Sequence, residues 1–308
     1  MIEEIFNLAI SIAPLYIMVL LGYLTGKFFE IDNKSISTIA IFILAPVVYI
    51  LSLTKLEFSA QTVFVPIFFF VLAVVISQFA IRLTGLFMDE KSKYMMGIVA
   101  PSFNTGYFGL PIAFALFSPE SVAIYVIVTF GFVVFESSVG LYYAARGEYS
   151  AKESAVNVFK YPLIYSVIIG LSLSAFNVEL PDTLNNMLSL FKGAYAVIGM
   201  MLIGLGLSSI KRISIDKAFL SSCFGFHFVM WPLIMLGLIW VDTQIGILGS
   251  AYYKPMLLMS IMPMAANNIA YAAQFNMGEG RVSIAVVATT LFAIIYVPVM
   301  IQLLGIVG

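Results

Sequence analysis

Long apolar runs alternate with short polar punctuation along the whole chain. Runs bounded by charged residues, Pro, Gly and Asn cover 5–26, 35–53, 63–87, 94–117, 120–144, 161–176, 184–208, 215–240, 254–276 and 282–305. A helix needs about 20 mostly apolar residues to cross a bilayer, so the pattern predicts ten transmembrane helices. The sixth run is short, and the fourth and ninth are interrupted by polar residues and proline. The chain opens Met1-Ile2-Glu3-Glu4, acidic where a signal peptide would be basic, and no small-residue cleavage site follows the first run. The first run is therefore expected to be kept as a span.

Composition agrees. The 308 residues are 62% hydrophobic and only 10% charged, with a mean hydropathy of +1.05. A soluble core of this length could not hide so much apolar surface, so the surplus is expected to face a lipid bilayer. A net charge of −1 leaves no basic footprint for nucleic acid. One cysteine, Cys223, excludes an internal disulfide, and one histidine, His227, excludes a His-rich metal site. A soluble enzyme, a DNA binder and a disulfide scaffold are ruled out.

Lys and Arg orient the spans. Of the 15 basic residues, twelve fall in the odd-numbered loops, from Lys27 and Lys34 through Lys91 and Lys93 to Arg281. The even-numbered loops hold only Lys55 and Lys254, and Lys192 lies within a run. Basic loops stay cytoplasmic, which predicts both termini outside the cytoplasm in the inner or plasma membrane. Only an even number of spans allows that.

The chain also resembles itself. Pro14-Leu15 followed by Val19-Leu20-Leu21-Gly22 matches Pro162-Leu163 followed by Val167-Ile168-Ile169-Gly170. The two runs with polar, proline-broken centres are each fourth in a group of five. One reads Pro101-Ser102-Phe103-Asn104-Thr105-Gly106-Tyr107-Phe108-Gly109-Leu110-Pro111, and the other Pro263-Met264-Ala265-Ala266-Asn267-Asn268. Five is odd, so the second repeat (151–308) must lie inverted relative to the first (1–150). Paired interrupted helices in inverted halves point to the binding site of a secondary transporter.

Proline removes a backbone donor and crowds the preceding turn. Unpaired backbone at membrane depth is tolerated only against protein or a water-filled cavity. The breaks at Pro101, Pro111 and Pro263 are therefore expected to face one another across a shared cavity. Half-helices beginning near Asn104 and Asn267 would turn positive ends toward it. Asn104, Thr105, Gly106, Tyr107, Asn267 and Asn268 are the candidate substrate-binding residues. The competing reading is two kinked helices whose asparagines tie neighbouring spans together.

At these residues the chain resembles the auxin efflux carrier family of plant auxin exporters and their bacterial relatives. The resemblance rests on Asn104-Thr105-x-x-x-Gly109-x-Pro111, on Asn268-Ile269-Ala270-Tyr271-Ala272-Ala273-Gln274-Phe275-Asn276 after Pro263, and on a last span ending at Pro298. It implies an all-α membrane protein of ten helices in five-plus-five inverted repeats, similar in architecture to bile acid/sodium symporters. A scaffold domain (about 5–53 and 161–208) would support a transport domain (about 63–144 and 215–305), with room for a homodimer through the scaffold. The implied substrate is a small organic anion, such as auxin or a dicarboxylate, carried by alternating access of an elevator or rocking kind. The long central loop of many plant members is missing here, replaced by roughly residues 145–160.

Other polar residues lie within the runs. Glu136 could hold a coupling proton or a cation, could gate, or could simply bond a neighbouring helix. His227 suits proton handling, or is a satisfied neutral histidine. Lys192 could draw anions to an outer vestibule or snorkel to the interface. Gln78 and Gln274 are candidates for tying helices together, and Gln274, on the broken helix, is also a coupling candidate. The methionines Met200, Met201, Met259, Met262 and Met264 read as adaptable packing rather than a metal site. No cofactor is expected apart from a sodium ion, for which oxygen ligands exist around Asn104, Thr105, Asn267, Asn268 and Gln274. Glu136 is the sole carboxylate to join them.

No Walker loop and no nucleophile–base pair appear, so neither ATP-driven transport nor catalysis is expected. Short loops argue against a sensor, and polarity confined to one locus argues against an anion channel. With so few titratable groups in the spans, uniport of a monoanion driven by the membrane potential is the expected energetics. Sodium- or proton-coupled symport is the alternative.

Overall fold

A computed structural model describes residues 2–57, 59–144, 162–208 and 215–306. Among these the fold is all-helical apart from one antiparallel bridge between Phe103 and Met264. The helices, in chain order, are α1 (Ile2–Phe28), α2 (33–53), α3 (Ala60–Thr84), α4 (Glu90–Val99), α5 (Thr105–Leu116) and α6 (119–144). The second half continues with α7 (Pro162–Ala175), α8 (Asp182–Ser208), α9 (Lys217–Ile245), α10 (Tyr253–Ser260), α11 (Asn267–Gln274) and α12 (Glu279–Leu303). The fourth apolar run thus divides into α4 and α5, and the ninth into α10 and α11. Six helices are long and apolar enough to cross a membrane, and three shorter apolar ones accompany them. The central basic segment, with Arg146, Lys152 and Lys160, lies outside the described residues.

Large apolar side chains such as Ile17, Ile67, Ile168, Leu233 and Ile295 face outward. In water that surface would drive aggregation, whereas lipid accepts it. Cohesion between the helices comes instead from close backbone approach. α1 packs along α8, where a Cβ added to Gly22 would fall 2.1 Å from the Met201 carbonyl oxygen. α7 packs on α2, with Gly170 set against Leu53 and Ile50. On the other side α3 packs on α6, where Gly131 meets the backbone of Pro66 and Phe70.

Among the described residues, four helices contain a π-helical turn, at Ala40–Leu44, Thr105–Gly109, Glu136–Gly140 and Phe226–Met230. Three of these turns are followed at once by a residue and then a proline, namely Pro46, Pro111 and Pro232. The residue before each proline donates one place further back than in an α-helix: Ala45 to Ala40, Leu110 to Thr105 and Trp231 to Phe226. The wider turn accommodates the crowding that proline imposes on the carbonyls behind it. Pro111 therefore sits inside α5 behind a π turn, and the chain break lies upstream at residues 100–104.

Three helix starts meet at the end that the charge pattern assigns to the cytoplasm. Asp89 caps α4 and Asp216 caps α9, and Arg281 in the first turn of α12 lies 3.5 Å from each carboxylate. Arg281 also donates to Ser92. Hydrogen bonds from the Ser92 hydroxyl and backbone, aided by Arg281, hold the Asp89 carboxyl at about 2. The folded value is depressed, so this cap contributes fully above the ordinary carboxylate range and is lost as pH falls through about 4 to 2.

Candidate functional site

The first break leaves the last carbonyls of α4 without helical partners. Two side chains of α9 take them: Trp231 Nε1 donates to Ala100 O at 2.6 Å, and His227 Nε2 lies 3.1 Å from Val99 O. A carbonyl only accepts, so this contact requires the Nε2–H form of His227. His227 is fully buried and does not line the cavity described below. Its place is in the wall behind the break.

The two breaks satisfy each other's backbone. Asn104 N donates to Pro263 O at 2.8 Å, and Ala265 N donates to Ser102 O at 3.0 Å. These bonds form the Phe103–Met264 bridge, a short antiparallel pairing where the two breaks meet. This is the internal satisfaction that lipid demands of irregular backbone. Buried aromatic rings pack on this pairing: Phe103 meets Phe132, His227 and Trp231 edge-on, with centroids 5.1–5.4 Å apart.

Asn104 caps α5: its Oδ1 accepts from Phe108 N at 3.2 Å, while its own carbonyl accepts from Gly109 N. Its Nδ2 is buried with no partner, and the Tyr107 hydroxyl is likewise buried and unpaired. Both residues line a cavity of about 210 Å³ beside the two breaks. Thr105, Gly106, Asn267 and Ala266 line it too, as do Glu136 from α6 and Tyr49 from α2. Tyr195 of α8 and Tyr271 of α11 complete the aromatic wall. Gly106 keeps space there, because a Cβ would come within 2.7 Å of the Tyr195 hydroxyl and that ring would have to shift. With Ile41 from the π turn of α2, three of the four described π turns contribute lining residues, in keeping with the association of π turns with functional sites.

Of the sequence candidates, Asn104, Thr105, Gly106, Tyr107 and Asn267 share this cavity with Glu136. Asn268 is fully buried behind it, and its Nδ2 donates to Ser102 Oγ at 2.9 Å and to Ala265 O at 3.1 Å. Pro101 and Pro263 flank the paired segments. Gln274 ends α11, and its side chain lies outside the described residues. Gln78 bonds the Tyr143 hydroxyl across α3 and α6. Lys192 stands over the Phe114 ring at 5.8 Å, in a separate hollow with Pro111. Met200, Met259, Met262 and Met264 are fully buried in the core.

Ser102 and the tyrosines Tyr49, Tyr195 and Tyr271 escaped the sequence reading. Ser102 follows directly on the proline of its break, which was a usable signal. Tyr195, in Gly193-Ala194-Tyr195-Ala196, stood out only as a large ring among small residues.

These features define a multi-pass membrane transport protein. The family model described as "Membrane transport protein" matches residues 150–301. The chain is also similar to Uncharacterized transporter MJ1031 of Methanocaldococcus jannaschii, 24% identical over 294 residues that span 91% of this chain and 94% of that protein. These matches make the chain similar to membrane transport proteins and support its resemblance to the auxin efflux carrier family at the two breaks.

Proposed function

We propose that this protein is a secondary transporter that moves small organic anions, carboxylates above all, by alternating access at the crossing of the broken helices. The observation that carries the reading is the pair of buried, unpaired groups, Asn104 Nδ2 and Tyr107 OH, on two residues that line the cavity at the start of α5. A buried donor without a partner costs about 1–3 kcal/mol, which a bound carboxylate would relieve. The start of α5 adds unpaired N–H groups of the same polarity. Tyrosine rings give the remaining wall an apolar surface for the substrate's body.

Ten spans in two inverted repeats are part of this reading. Repeat symmetry would exchange the first span with the sixth and the second with the seventh. Packing of α1 on α8 and of α7 on α2 is the pair of contacts that such symmetry relates. The matched glycines Gly22 and Gly170 stand at those two interfaces, which supports the repeat. The same four helices form the proposed scaffold, and the cavity lies between them and the helices of the proposed transport domain.

Purified protein should be stabilised against heat by members of a panel of acetate, malonate, malate, phenylacetate and indole-3-acetate. A ligand at a hundred times its Kd adds about 2.7 kcal/mol. If no acid shifts the melting temperature, with or without sodium, the anion reading fails. A shift that appears only with sodium would favour sodium-coupled symport.

Both termini are proposed to lie outside the cytoplasm of the cell membrane. A cysteine placed at Glu3 should then react with an impermeant reagent from outside. Cys223, fully buried, will contribute little background. Labelling only from the cytoplasmic side would overturn the orientation.

A further inference from the structure

One group in the cavity does not suit an anion. Glu136 is the sole charged type of residue among its described lining residues, and it is an acid. It is 8% exposed, and its Oε1 accepts from Ser102 Oγ at 2.6 Å. Ser102 Oγ in turn accepts from Asn268 Nδ2 at 2.9 Å. The single hydroxyl proton of Ser102 is thus spent on Glu136 and its lone pair on Asn268. The carboxyl group of α6 is tied through one serine to both broken helices.

Among the described residues that line the cavity, no counter-charge stands beside it. The titratable groups that share the cavity with Glu136 are the phenols Tyr49 of α2, Tyr107 of α5, Tyr195 of α8 and Tyr271 of α11. α4, which packs against the π turn of Glu136, carries Glu90, Lys91 and Lys93 in its first turn only. His227 of α9 is engaged at Val99 O and lies outside the lining. A substrate carboxylate and an ionised Glu136 would therefore be two like charges in one cavity of about 210 Å³ with no cation between them. Paired carboxylates in such a site do not both ionise.

We propose that the substrate anion and a proton occupy the site together. On this proposal, which rests on the anion reading above, Glu136 takes one proton from water onto Oε2, the oxygen that Ser102 does not engage. It keeps that proton while the carboxylate is bound and returns it to water when the carboxylate leaves. Ser102 and Asn268 hold the group in place through either state, because Oε1 accepts in both. A monoanion then crosses as an electrically neutral pair with its proton. The driving force becomes the pH gradient as well as the anion gradient, in place of the membrane potential that uniport would follow.

The test is calorimetric titration of purified protein with phenylacetate between pH 6 and 9, in two buffers of different ionisation enthalpy. Phenylacetate has the aromatic body that the tyrosine wall suits, and carboxylic acids are essentially ionised above about pH 6. The wild type should take up close to one proton per phenylacetate bound at the alkaline end, where its affinity should fall about tenfold per pH unit. Glu136→Gln keeps the oxygen that Ser102 bonds and should bind with neither proton uptake nor pH dependence. Binding by the wild type without proton uptake would overturn the coupling and leave the anion site standing. Proton uptake that persists in Glu136→Gln would remove Glu136 from the role. Absence of phenylacetate binding at every pH would count against the anion site itself, and the coupling would fall with it.

Discussion

Asn104→Asp should abolish carboxylate binding at pH 7 while leaving the protein folded. The cap survives the change, since a carboxylate oxygen can accept from Phe108 N as the amide oxygen does. A negative charge at a helix start is favourable as well. What disappears is Nδ2, the unpaired buried donor of this cavity-lining residue. A hydrogen bond to a charged group contributes about 1.5–3 kcal/mol. The new charge adds repulsion of about 3 kcal/mol at roughly 5 Å and an effective dielectric of about 20. Together these weaken affinity about a thousandfold or more. Binding within about tenfold of wild type, measured on protein of unchanged melting temperature, would place the substrate elsewhere. Asn104→Ala is the less informative variant, because it removes donor and cap together.

Gly204→Ala is expected to cost the most stability of any single methyl addition along α8. A Cβ there would lie 1.9 Å from the Val19 carbonyl oxygen and 2.5 Å from Tyr23 N. Both are backbone atoms of α1, which cannot swing aside as a side-chain end could. Overpacking of this kind costs about 1–3 kcal/mol and occasionally more. Gly206 is the control two residues along the same helix, where an added Cβ meets nothing within 4 Å. Alanine there gains up to about 1 kcal/mol of helix propensity. Melting curves of detergent-solubilised protein should therefore show Gly204→Ala well below wild type and Gly206→Ala at or above it. Equal melting temperatures for the two would mean that α1 and α8 do not approach as closely as described.

Much of the architecture was legible in the chain because lipid imposes a simple code. A span must be long and apolar, so punctuation by Lys, Pro and Asn marks its limits, and the run limits read from sequence lie close to the observed helix ends. The breaks were legible for a related reason. Polar residues and proline at mid-depth are costly unless they face a cavity or each other, so Asn104 and Asn267 announced themselves. What sequence could not supply was the partner of each group. Pro111 reads as a break, yet it terminates a π turn, because the distinction depends on where the backbone bonds of Thr105 and Leu110 go. Glu136, which the sequence leaves open as a coupling, gating or helix-bonding residue, lines the cavity and bonds Ser102. His227 reads more readily as a satisfied histidine than as a proton carrier, and the carbonyl it meets, that of Val99, was not legible in the chain. Asn267 and Asn268 are neighbours in the chain with different surroundings, one lining the cavity and one tying the two breaks together. Hydrophobic length and charge bias are properties of a segment and survive in one dimension. Hydrogen-bond pairing, cavity lining and the meeting of like charges depend on which segments cross, and that was decided only when the helices packed.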